Sequence, residues 1–232
     1  LYEADIIFYN GLHLEGNMIE MFEGMSASKP VVALGDAIDQ DQLLKDEEGV
    51  IDPHIWFNID LWQAGLNQAV EELKKYAPEY ADEFEANKQA YFEEMNKLKQ
   101  WATETLEKIP ASQRVLVTAH DAFGYFGEMF NIEVIGLQGL STEDEVGVSD
   151  IQATVDLLVA KKVPAVFVES SVNPDAIKAV IEGAKKAGVE VKLGGELFSD
   201  AMGEAGSPEG TYLGMYRHNV ETIYSALSGE EE

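Results

Sequence analysis

The chain has 232 residues, of which 46% are hydrophobic and 25% charged; it lacks cysteine and sets 16 basic against 43 acidic side chains, a formal charge of −27. That balance removes the basic footprint that nucleic acid requires and disfavours anionic membrane surfaces, and the missing thiols exclude disulfide frameworks, thiolate zinc sites and cysteine nucleophiles. No apolar run approaches the ~18 residues of a membrane span, and the length suits one large domain or two modest lobes.

In chain order, Ala4–Asn10 is a short apolar run that reads as a buried parallel strand. Met18–Ser26 has helical spacing, and Pro30–Leu34 reads as the next strand. An acidic loop follows from Gly35 to about Asp52, and Asp60–Tyr76 is a helix closed by Pro78. From Pro78 to Ile109 runs the longest uninterrupted pattern, with Phe84, Tyr91, Met95, Leu98 and Trp101 at three-to-four residue steps. A helix of that size would be roughly 45 Å long, which suits a strut between two lobes.

After Pro110 strands and helices alternate. The expected strands are 114–119, 133–137, 165–170 and 189–193. The expected helices are 122–130, 150–162 (capped by Ser149), 174–187 (ended by Gly188) and 212–227. Such alternation predicts an α/β architecture with a parallel, doubly covered sheet. The organisation expected is an N-terminal lobe over 1–77, a linker helix over 78–109 and a C-terminal lobe over 110–232.

Ligands of open parallel sheets bind beyond the carboxyl ends of the strands. Of the four histidines, His13 follows the first strand, His120 follows the strand ending at Ala119, and His54 sits in a turn, Asp52-Pro-His54. His218 lies inside the last helix and is expected to face solvent or a neighbouring helix. Imidazole is the commonest transition-metal ligand, and Asp200 adds a carboxylate after the strand expected to end at Leu193. The Gly194-Gly195 run is expected to let the backbone turn beneath an ion. No Walker loop, Gly-x-Ser-x-Gly elbow or His-Glu-x-x-His motif occurs. Glu169 and Glu196 stand at strand ends, where acceptors for ligand histidines or plain surface charge suit them better than an acid–base pair.

Taken together, these residues resemble the TroA-like (cluster A-I, or cluster 9) solute-binding proteins of zinc and manganese ABC importers. The segments that carry the resemblance are Ala4-Asp-Ile-Ile-Phe-Tyr-Asn-Gly-Leu-His13, Asp52-Pro-His54-Ile-Trp-Phe, Val117-Thr-Ala-His120-Asp-Ala-Phe-Gly-Tyr-Phe and Gly195-Glu-Leu-Phe-Ser-Asp200-Ala-Met-Gly. The resemblance implies two βα lobes joined by a rigid helix. It also implies metal ligands His13, His54, His120 and Asp200 between the lobes, and no catalysis. Family members begin with two further βα units, so the N-terminal lobe is expected to be incomplete here and the natural protein longer; residue 1 is Leu rather than Met.

The resemblance further implies a monomeric, extracytoplasmic protein, periplasmic or lipid-anchored at the outer face of the cytoplasmic membrane, that delivers its ion to a permease. His120 tilts the choice of metal to Zn2+ over Mn2+, because manganese-dedicated members often have Glu there. The acidic loop lacks the histidine-rich tract of many zinc-dedicated members, which pulls the other way. A mononuclear metallohydrolase and a surface adhesin are the other function classes. The first would keep an open, water-bearing position on the metal, and the second would tolerate loss of His54 or His120.

Overall fold

The computed structural model describes residues 1–46, 48–142 and 146–229; Glu47 of the acidic loop lies outside them. The chain forms two compact units, Leu1–Lys97 and Leu98–Glu232, and the division falls inside a helix.

In the first unit, β1 (Ile7–Tyr9) pairs in parallel with β2 (Val31–Ala33), Ile7 opposite Val31. Between them α1 (Ile19–Ser26) lays Phe22 and Met25 on Ile7, with the Tyr9 and Phe22 ring centroids 4.5 Å apart. Both strands are shorter than their apolar runs. At the N-terminal side the Lys29 ammonium donates to the carbonyls of Leu1, Tyr2 and Ala4 at 3.3, 2.8 and 2.5 Å, so a side chain satisfies acceptors that no strand pairs.

The helix α2 (Ile59–Tyr76) starts where the Asn58 carboxamide accepts the amides of Asp60 and Leu61. The long pattern after Pro78 is not one continuous helix: a 3-10 turn over Pro78–Tyr80 precedes α3 (Ala81–Leu106), whose 26 residues span about 39 Å. Polar side chains join α2 to the first part of α3. Lys74 bridges Glu71 and Glu85, Lys88 reaches Asn67 and Glu85 at 2.8 Å each, and Gln63 donates to Asn96 at 3.0 Å. The bonds from Lys74, then Lys88 and Gln89, hold the Glu85 carboxyl down at about 2.

In the second unit the end of α3 buries Leu98, Ala102 and Leu106, one helical face at four-residue steps, and the Arg217 guanidinium stacks 4.2 Å over Trp101. There follow β3 (Val115–His120), α4 (Gly124–Phe130), β4 (Glu133–Gln138), α5 (Val148–Lys161), β5 (Ala165–Glu169), α6 (Asp175–Lys186), β6 (Lys192–Leu197) and α7 (Tyr212–Leu227). β3 pairs in parallel with β4, and β5 with β6, so the α/β class with parallel strands is borne out. Every residue of β3 is buried, as a strand covered on both faces requires. Val115, Val117 and Ala119 face a core with Val155 and Leu158 of α5 and Ile177 and Val180 of α6. By alternation Leu116, Thr118 and His120 point the other way.

Two local expectations are corrected. Ser149 does not cap α5: the helix begins at Val148, and its first turn is closed by the Asp150 carboxylate accepting the Gly147 amide at 2.8 Å. β6 lies three residues later than the apolar alternation suggested and contains Gly194 and Gly195. A Cβ on Gly194 would sit 2.6 Å from the Phe167 ring and 2.9 Å from Ala226. The glycines thus let the strand pass between β5 and α7, and Gly195 takes a φ of +140° where the register shifts beside Val166 and Phe167.

Candidate metal centre

In the first unit the turn Asp52-Pro-His54 is fixed from several sides. Asp52 donates its amide to the Leu44 carbonyl at 2.9 Å, and the Asn10 carboxamide, buried at the end of β1, donates to the Pro53 carbonyl at 3.0 Å. The Asp52 Oδ1 accepts both the His54 amide at 2.9 Å and the His54 Nδ1–H at 2.7 Å. Ile55, Phe57 and Ile59 behind it are fully buried, and Trp56 meets the His54 ring edge-on at 5.2 Å. His54 is 1% exposed. With Nδ1 on Asp52, Nε2 is the ring nitrogen that could serve as a ligand.

His13 is a different case. It is exposed, and both Leu12 and His13 hold left-handed φ values of 54° and 68°, a conformation unusual for side chains of their size. The turn is held by the Glu15 carboxylate, which accepts the amides of Asn10 at 2.7 Å and Gly11 at 3.0 Å. Among the described residues His54, His120 and Asp200 count as candidate metal ligands, whereas His13 joins no such group.

In the second unit His120 ends β3 and is fully buried. Its amide donates to Glu169 Oε1 at 2.9 Å, its Nδ1 lies 2.5 Å from Glu169 Oε2, and its Nε2 lies 3.4 Å from Asp200 Oδ1. Burial alone would lower the pKa of this imidazolium; the bonds to Asp200 and Glu169, and then their charges, reverse that and push it up to about 9. The backbone needs Gly136 of β4 opposite: a Cβ there would lie 2.5 Å from the Asp121 nitrogen and 2.6 Å from its Cα. Gly136→Ala is therefore expected to destabilise the metal-free chain by about 2–3 kcal/mol, read as a lowered thermal midpoint, and to weaken metal binding by displacing His120.

Asp200 follows β6 on a loop fastened by two contacts that the sequence reading missed. The buried Asn219 of α7 accepts the Phe198 amide at 2.9 Å and donates to the Phe198 carbonyl at 2.7 Å, as a neighbouring strand would. The Ser199 and Ser171 hydroxyls lie 3.0 Å apart, tying the exit of β6 to that of β5. A lone Asn inside an amphipathic helix was the only signal for the first. Glu169 does act as an acceptor for His120, whereas Glu196 contributes its carbonyl to His218 Nε2 at 2.9 Å. His218 is half-buried, with its Nε2 on the end of β6 and Phe198 edge-on at 5.0 Å.

These side chains, imidazoles with a carboxylate beside each Nδ1 and a further carboxylate oxygen 3.4 Å from His120 Nε2, are of the nitrogen and oxygen type that a borderline transition metal takes. Residues 1–226 match the family described as ZnuA, zinc-uptake complex component A, periplasmic. The chain is similar to the manganese-binding lipoprotein MntA of Bacillus subtilis (strain 168), 47% identical over 228 residues that cover 98% of this chain and 74% of that protein. It is similar to the zinc-binding protein TroA of Treponema pallidum (strain Nichols), 44% identical over 225 residues that cover 97% of this chain and 73% of that protein. The solved structure of the periplasmic zinc-binding protein TroA from Treponema pallidum matches with a TM-score of 0.94 at 45% identity, over 97% of this chain and 81% of that one. The chain belongs to this ZnuA/TroA family of metal-binding solute-binding proteins of ABC transporters.

Proposed function

We propose that the protein captures a divalent metal ion outside the cytoplasmic membrane and hands it to an ABC permease, with His54, His120 and Asp200 as the ligands. The observation that carries the reading is the buried His120, braced by Glu169 on Nδ1 and presenting Nε2 to Asp200 at 3.4 Å. Asp200 has two oxygens to offer, so the three residues supply up to four donor atoms. The proposal extends to a monomer with lobes over 1–77 and 110–232 and a rigid segment over 78–109, periplasmic or lipid-anchored. None of the described helices is long and apolar enough to cross a membrane.

Zinc is the first choice of ion, because imidazole at position 120 suits it and the affinity series favours it over manganese. Manganese is the second reading, favoured by the likeness to MntA. The protein is a carrier rather than an enzyme, so binding is stoichiometric without turnover. His13 is not carried into the ligand set, since it is exposed and, among the described residues, belongs to no candidate group.

Elemental analysis and calorimetric titration of the metal-free protein with zinc and with manganese test this reading. One ion per chain is expected; His54→Ala should weaken binding at least about a hundredfold, nearly 3 kcal/mol, and His13→Ala by less than about threefold. Wild-type affinity in His54→Ala would remove it from the site, and a large loss in His13→Ala would restore the four-ligand expectation.

A further inference from the structure

Each buried histidine of the proposed site has a carboxylate behind it, and the two arrangements differ in one informative way. Asp52 stands two residues before His54 and uses a single oxygen for both the amide and Nδ1–H. Glu169 comes from the end of another strand, its side chain is entirely buried, and it divides its oxygens: Oε1 takes the His120 amide at 2.9 Å and Oε2 lies 2.5 Å from Nδ1. An ionised carboxylate only accepts hydrogen bonds. Beside that oxygen the protonated form of Nδ1 is the favoured one, since two lone pairs at 2.5 Å repel, although the pair lacks the angles of a fully formed hydrogen bond. The Thr118 hydroxyl donates to the His120 carbonyl at 2.9 Å and fixes the backbone that carries the ring.

We infer that Glu169 is a positioning residue that decides which nitrogen of His120 meets the metal ion: by holding the amide and Nδ1–H on its two oxygens, it keeps the proton on Nδ1 and leaves Nε2 for the ion. The inference rests on the reading of His120 as a ligand.

Glu169→Gln separates this role from simple filling of space. The glutamine has the same shape, but one acceptor oxygen becomes an NH2 donor. If its oxygen keeps the His120 amide, the NH2 faces Nδ1 and the ring proton moves to Nε2, where the ion should bind. The opposite amide orientation sets NH2 against the backbone N–H, two donors face to face. Neither arrangement reproduces the wild-type ring.

The experiment uses the full chain labelled with 15N-histidine, wild type and Glu169→Gln. Ring nitrogen–proton correlation spectra are recorded zinc-loaded at neutral pH and metal-free at pH 10, alongside zinc titration calorimetry and thermal melts. Expected are a protonated Nδ1 on His120 in the wild type, a protonated Nε2 in metal-free Glu169→Gln, and zinc affinity about 10- to 100-fold weaker in the variant. The His54 ring signals should stay put, because Asp52 is untouched. A variant that keeps the Nδ1–H ring or wild-type affinity overturns the inference. Should the variant not fold, zinc bound through Nδ1 in the wild type overturns it equally, and zinc through Nε2 with Nδ1 protonated supports it. A wild type that binds no zinc or manganese would sink the carrier reading, and the metal-free ring spectra would still judge Glu169.

Discussion

Replacing His120 with alanine is expected to weaken metal binding by a thousandfold or more, about 4 kcal/mol. The substitution removes a nitrogen ligand whose Nε2 stands 3.4 Å from the Asp200 carboxylate. It also leaves Glu169, whose side chain is fully buried, with only the backbone amide to satisfy its charge. A buried carboxylate deprived of its partner is destabilising by about 3–5 kcal/mol, so the metal-free variant should also melt earlier. Binding is therefore measured below its melting range, with circular dichroism confirming the fold. His218→Ala is the matched control: its ring bonds to the Glu196 carbonyl at 2.9 Å, and its loss should leave affinity unchanged. A folded His120→Ala protein with wild-type affinity would refute the assignment.

The second large effect concerns pH, and it has opposite signs for the two states of the protein. The His120 pKa is raised from 6.5 to about 9 in the metal-free fold. Because the folded value lies above the unfolded one, the linked stabilisation is complete below pH 6.5 and is lost as pH rises through 9. It amounts to something on the order of 3 kcal/mol. The thermal midpoint of the metal-free chain should therefore fall across that window from this cause.

Metal affinity should move the other way. The ion competes with the Nε2 proton, so each unit of pH between about 6 and 9 should raise affinity roughly tenfold. Titrations in buffers of different ionisation enthalpy should show about one proton released per ion at pH 7.5. An affinity that stays flat from pH 6 to 8, with no proton released, would mean that His120 is neutral before the metal arrives.

Much of this arrangement was legible along the chain. The strand at Val115–His120 and the helix at Ile59–Tyr76 follow from apolar patterning that no tertiary contact overrides. Asp-Pro-His with its carboxylate two residues ahead of the imidazole is a local device, and the Asp52–His54 bond closes over that short span. The Pro78 break was visible too, although the turn it starts cost the long helix its first three residues.

Other features could not be read locally because their causes are distant. β6 was expected before Gly194, since glycines weaken a strand by propensity. In the fold, Phe167 and Ala226 leave no room for a side chain there, and close packing outweighs propensity. The exposure of His13 after a strand end was equally unreadable, since it belongs to a left-handed turn braced by Glu15.

By itself the sequence determined the parallel α/β class, the order of the elements and the chemistry available: histidine and carboxylate, with no thiol. These follow from short-range periodicity and composition, which need no knowledge of what lies across the sheet. Only the tertiary structure decided that Glu169, 49 residues from His120, shares its environment, and that Asn219 fastens the loop before Asp200. Hydrogen bonds between elements depend on distances that the folded chain sets, and a linear pattern does not encode them.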